Sequence, residues 1–93
     1  MIKSFKDKKT EAIFYGYRHP AFPSEMVARA KTKLQVLHAA CDLRDLKVPY
    51  SNHLEELERD RKGQWSIRIS KQWRICFEWR GNNAYQVEIV DYH

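Results

Sequence analysis

The chain has 93 residues, 43% hydrophobic and 31% charged, a globular balance that excludes a disordered chain and predicts one domain around a single modest core. A net charge of +5 points to a polyanionic partner, nucleic acid first, against the plainer alternative of a generic lysine-rich surface. No apolar run nears the ~18 residues of a membrane span, the opening MIKSFKDKK lacks the apolar segment of a secretory signal, and Cys41 and Cys76 make neither a disulfide framework nor a CxxC pair, so no metal, cofactor or membrane is expected and the cytoplasm is the expected compartment.

Residues 2–5 (Ile-Lys-Ser-Phe) predict a short first strand, and residues 8–15 a short helix that partly buries Ala12, Ile13 and Phe14. Tyr17 to Pro23 holds Pro20 and Pro23 and reads as a loop. A longer helix follows over 24–41, with Ser24 as N-cap and Glu25 near the positive end of the dipole. Met26, Ala30, Leu34, Leu37 and Cys41 recur every three or four residues and form its apolar stripe. Arg29, Lys31 and Lys33 lie off that stripe and read as solvated surface. A helical turn around Asp42–Leu46 precedes Pro49. Residues 50–63 read as a long polar loop with one partial helical turn, and it ends in the basic run Arg59-Asp60-Arg61-Lys62-Gly63. Loops of this length in compact domains are often functional.

Three strands close the chain, over about 65–69, 73–80 and 84–92. In SIRISKQWRI, residues 66–75, apolar and polar residues alternate on both sides of a short polar break, which predicts a hairpin with Ile67 facing Ile75 and Arg68 facing Arg74. Gly81-Asn82-Asn83 supplies the next turn and sets Trp79 near Tyr85, Phe77 near Val87 and Ile75 near Ile89. One sheet face is then apolar (Trp65, Ile67, Ile69, Trp73, Ile75, Phe77, Trp79) and packs on the long helix. The fold class that follows is α+β, an antiparallel sheet packed on N-terminal helices.

The other face carries Ser66, Arg68, Ser70, Arg74, Cys76, Glu78, Gln86, Glu88 and Tyr92, too polar a set for a core. Like charges directly opposite destabilise a sheet, so the Arg68–Arg74 pair needs a reason. Either the two arginines pair with Glu78 and Glu88, or a phosphate sits between their forked guanidiniums and offsets the repulsion. The second reading predicts a concave cationic surface, fed by Arg59, Arg61 and Lys62 from the loop and by Lys71 from the hairpin turn, with Tyr92 at its edge and His93 beyond.

The segment GQWSIRISKQWRICFEW (63–79), the run VEIVDYH (87–93) and the opening MIKSF together resemble HigB-type toxins of the RelE superfamily. The resemblance implies a compact RelE-like α/β fold like that of microbial ribonucleases. It implies a toxin that cuts mRNA in the ribosomal A site without a metal, held in check by a helix-turn-helix antitoxin of the HigA type. Operator DNA would be bound only through that antitoxin. Such cleavage needs a base for the attacking 2′-hydroxyl, an acid for the leaving 5′-oxygen and positive charge on the phosphate. By resemblance Arg74 stabilises the phosphate, Tyr92 and His93 stack, position and transfer protons, and Asp91 orients the histidine. Imidazole titrates near neutrality and is a better acid or base than a phenol unless cations such as Arg68 and Arg74 lie close.

Relatives often carry a loop histidine and lysine in a pattern like L-H-P-L-K-G-D. Here the matching run is Leu54-Glu55-Glu56-Leu57-Glu58-Arg59-Asp60, so Glu55 stands at the histidine and Glu58 at the lysine. Glu55 can serve as a general base, His53 lies close by, and Arg59, Arg61 or Lys62 can restore the positive charge. These replacements give the main alternative, a ribosome- or RNA-binding growth inhibitor that cuts weakly or not at all. A plain DNA-binding domain fits less well, because the basic residues cluster on strands and a loop.

Overall fold

The computed structural model describes residues 1–61 and 63–92. Helix α1 spans Lys8–Phe14 and buries Thr10 and Ile13; the Asp7 carboxylate accepts from the Thr10 amide at 2.8 Å and so caps a first amide that has no partner inside the helix. Helix α2 spans Ser24–Ala39. Its cap is Pro23, without a side-chain bond, and Ser24 is the first helical residue. Met26, Ala30, Leu34 and Leu37 are buried as their spacing predicts, but the helix stops two residues before Cys41, which is exposed. Asp42 and Asp45 cap a 3₁₀ turn over Leu43–Lys47 reciprocally. Among the described residues no helix is long and apolar enough to cross a membrane.

The long polar segment is more structured than its composition predicts. It holds 3₁₀ turns at Tyr50–Asn52 and Arg59–Arg61, and between them a two-residue strand β1, Glu55–Glu56. Strands β2 (Gln64–Arg68), β3 (Trp73–Arg80) and β4 (Asn83–Asp91) follow, and the sheet runs β1-β2-β3-β4, antiparallel throughout. Residues 2–5 add two parallel bridges to the outer edge of β4, Ile2 with Ala84 and Phe5 with Val87, rather than a full strand. The Ile2 amide also donates to His38 Nδ1 at 3.1 Å, which ties this segment to α2.

Register agrees with the alternation in the first hairpin: Ile67 faces Ile75 and Arg68 faces Arg74. The second hairpin departs from it. Ile75 faces Ile89, but Trp79 faces Ala84 and Glu78 faces Tyr85, because the register shifts beyond Cys76. Gln86, exposed and with φ 51, is the extra residue of that bulge. The helices cover the apolar face, where Ile67, Ile75, Phe77 and Val87 are sealed and Trp65, Trp73 and Trp79 pack around them. Each sealed aliphatic or aromatic side chain contributes about 1.5–3 kcal/mol by leaving water.

Candidate functional site

The centre of the polar sheet face is covered, which corrects the expectation of an open cationic cradle around Arg74. Ser66, Arg74, Cys76 and Glu88 are all buried. Arg74, only 7% exposed, donates from Nε to Ser66 Oγ at 2.9 Å, and from Nη2 to the Ser66 carbonyl at 3.4 Å and to the carbonyl of His53. The two carbonyls and the hydroxyl hold the guanidinium without neutralising it. Its Nη1 lies 3.9 Å from Glu55 Oε1 and makes no hydrogen bond among the described residues. The acidic group nearest Nη1 among the described residues is thus the half-exposed Glu55 carboxylate. The Tyr92 ring lies 5.7 Å from the guanidinium carbon, within cation–π range.

The predicted partners of the arginines are elsewhere. Glu88 pairs with Lys6 at 3.0 Å and with Arg61 at 3.0 Å, and Glu78 pairs with Arg80 at 3.5 Å. Arg61 also donates to Gln64 Oε1 at 3.2 Å, so this predicted RNA contact braces the loop against β2 and β4. The bond to Glu88 raises the Arg61 pKa above its ordinary value and keeps it cationic. Cys76, beside this network, is held as the neutral thiol because burial pushes its pKa up. Arg59 lies on the turn that ends at Arg61. Lys62 and His93 lie outside the described residues.

Two partnerships of the predicted site residues escaped sequence reasoning. The Gln72 side chain donates to Asp91 Oδ2 at 3.2 Å, and the Gln72 carbonyl accepts from the Tyr92 amide, so the β2–β3 turn fixes the backbone that presents Tyr92. Ser66 makes the other. Its pairing opposite Cys76 put it within diagonal reach of Arg74, and the register alone could have found it.

Arg68 and Lys71 face a different space. With Arg29, Thr32 and Lys33 of α2 and Ser51 and His53 of the preceding segment, they line an open cleft of about 540 Å³. Arg74 is not part of its lining. Lys33 is half-buried and donates to Asn52 Oδ1; the buried Asn52 amide donates in turn to the carbonyls of Leu46 at 3.1 Å and Val48 at 3.2 Å. Desolvation lowers the Lys33 pKa. So Lys33, which spacing alone reads as plain surface, pins the 46–52 segment to α2. His53 joins the two regions: its carbonyl accepts from Arg74 and its residue lines the cleft, with the backbone in the left-handed region at φ 43.

The arrangement sets an anion-binding guanidinium beside an aromatic ring, Tyr92, with Glu55 the nearest carboxylate to Nη1 among the described residues. Known proteins match this chain at two levels. In fold, the chain is similar to a structure of the YoeB-YefM complex from Staphylococcus aureus, with a TM-score of 0.62 at 17% identity over 100% of this chain and 98% of that one. A YoeB/ParE toxin from Agrobacterium tumefaciens gives 0.52 at 17% identity, over 100% and 99%. In sequence, it is 34% identical to the Endoribonuclease HigB of Proteus vulgaris across 100% of both chains. It is 40% identical to Toxin HigB-1 of Vibrio cholerae serotype O1 over 85% of this chain and 84% of that protein. The family model described as RelE-like toxin of type II toxin-antitoxin system HigB matches residues 3–93. With a RelE-like fold and a match over nearly its whole length, the chain belongs to the HigB-like family of type II toxins.

Proposed function

We propose that this toxin is a ribosome-dependent, metal-independent endoribonuclease that cuts mRNA and so arrests translation. One observation carries the reading: Arg74 is fixed by Ser66 and His53 with the Tyr92 ring beside its guanidinium and the half-exposed Glu55 carboxylate facing Nη1. The Proteus relative's designation as an endoribonuclease supports it. In the proposed step the 2′-oxygen attacks the adjacent phosphorus, and its proton passes to the Glu55 carboxylate or the His93 imidazole. The bond from phosphorus to the 5′-oxygen breaks, and the departing oxygen takes a proton from the acid of the pair. The products are a 2′,3′-cyclic phosphate and a 5′-hydroxyl. Arg74 meets the charge that builds on the phosphate. Tyr92 stacks on a base, and Asp91, bound to Gln72, orients His93. Arg59, Arg61, Lys62, Arg68 and Lys71 supply the surrounding positive charge. The ribosome supplies the substrate geometry, so free RNA is cut poorly. A HigA-like helix-turn-helix antitoxin neutralises the toxin and carries it to operator DNA, all within the cytoplasm.

A second reading rests on Glu55. Its carboxylate, 3.9 Å from Nη1, occupies the approach a phosphate would take. In that reading the protein binds the ribosome or an assembly intermediate and disturbs it without efficient cutting. Mapping mRNA 5′ ends after brief expression separates the two. New ends within codons that vanish with Arg74→Ala support cleavage. Ribosome precursors that accumulate without such ends overturn it.

A further inference from the structure

We propose that the cleft between α2 and the β2–β3 turn binds the phosphate backbone of a single-stranded RNA segment that flanks the cut, with one base stacked on Tyr50. The inference rests on the ribonuclease reading above and extends it to a second stretch of substrate. Four cations, Arg29, Lys33, Arg68 and Lys71, line the cleft with His53, and among the described residues no carboxylate does. Arg29 and Lys33 are one helical turn apart, a spacing at which like charges repel. Arg29, Arg68 and Lys71 have no ion-pair partner among the described residues. Glu25, one turn before Arg29, offsets part of this charge from the neighbouring pocket, but the cations within the cleft outnumber it, and such a cluster in a concave space focuses positive potential and attracts a polyanion. Lys33 is pre-positioned by its bond to Asn52 and retains two further N–H donors.

The aromatic partner is built in as well. Tyr50 is 85% exposed, an unusual cost for a phenol ring, and its centroid lies 5.4 Å from that of His53, a cleft-lining residue. A basic groove flanked by an exposed aromatic is the arrangement by which proteins hold single strands regardless of sequence. His53 also contacts Arg74 through its carbonyl, so a strand leaving the Arg74 site meets the cleft at the next bend of the chain. An acidic protein segment is the rival occupant, but it gives Tyr50 no base to stack on.

The test uses the full chain and a fluorescein-labelled oligouridylate of about nine nucleotides, within the usual span of single-strand sites. Arg29→Ala with Lys71→Ala, both exposed positions, should weaken binding and flatten its dependence on log salt by about 1.4, two single-strand phosphate contacts' worth. Tyr50→Ala should weaken binding at least about fivefold with the salt slope unchanged. Circular dichroism confirms that the variants fold. Unchanged affinity in both variants, or no binding by the wild type at low salt, overturns the proposal. So does unchanged RNA affinity with lost antitoxin affinity, which would make the cleft a protein-docking surface. If the cleft variants lose RNA while wild-type protein produces no new mRNA ends, the cleft assignment stands and the nuclease reading fails.

Discussion

Arg68 and Arg74 face each other across the β2–β3 hairpin, yet one opens on a cleft beside α2 and the other is buried under the 53–61 segment. That division answers the repulsion the register creates. Arg74 is solvated by Ser66 and His53 in place of water, and Arg68, half-buried, lines the cleft beside α2. A guanidinium held mostly by neutral acceptors is oriented by them while an incoming anion can still pair with it in a charge-assisted hydrogen bond.

Ser66→Ala removes the acceptor of Arg74 Nε. A hydrogen bond to a charged group contributes about 1.5–3 kcal/mol, and urea denaturation should show a loss in that range. The mRNA ends seen in mapping should fall in parallel, since the guanidinium loses its orientation. Stability lost with cleavage intact would remove Ser66 from the positioning of Arg74.

Glu55→Gln separates the two effects proposed for this side chain. Loss of a carboxylate base should lower the maximal cleavage rate by about 10²–10⁴-fold. Removing a half-exposed negative charge beside Nη1 should tighten RNA binding modestly, by up to about 1 kcal/mol after solvent screening. A faster variant would instead identify Glu55 as an obstruction in the phosphate path.

Cys41 and Cys76 should react with a thiol reagent in two phases. Cys41 is exposed, and Cys76 is buried with its pKa pushed up by desolvation, so Cys41 reacts first and Cys76 reacts only as the fold opens. The fold favours the neutral thiol of Cys76. That contribution is intact below the ordinary value of 9.0 and is lost as pH rises through the higher folded-state value. Cys76→Ser should therefore reduce the fall in denaturation midpoint at alkaline pH.

Gln86→Gly should stabilise the protein. Gln86 holds φ at 51, in the left-handed region that costs a side-chain-bearing residue roughly 1–2 kcal/mol and glycine almost nothing. Glycine's greater freedom in the unfolded chain takes back part of this, so a gain of about 0.5–1 kcal/mol is expected in thermal or urea unfolding. Gln86 is exposed and the change costs no packing.

The first hairpin was readable because its alternation persists on both sides of Ser70-Lys71-Gln72, and a shift of one residue would turn Ile67 and Ile75 outward. The same logic failed beyond Phe77. A single-residue bulge at Gln86 moves Trp79 from Tyr85 to Ala84 without disturbing the local pattern of residue types. The covering of the polar face was unreadable for a related reason: residues 50–61 are polar in no period, and β1 is too short to carry one. The site shows the same split. Arg74 beside Tyr92 follows from register, whereas the Lys33–Asn52 bond and the Gln72–Asp91 bond join segments that only the tertiary structure brings together.

The edge bridges of Ile2 and Phe5 to β4 join residues more than eighty positions apart, and the Gln86 amide donates to Ser4 Oγ at 2.9 Å across the same seam. Contacts of such long sequence separation slow folding, because the chain must close a large loop before they form. For a toxin of this family that order has a consequence during synthesis. While it is being made, the nascent chain cannot zip its sheet edge until β4 has cleared the exit tunnel, so residues 2–5 wait unpaired until residues 83–91 have emerged.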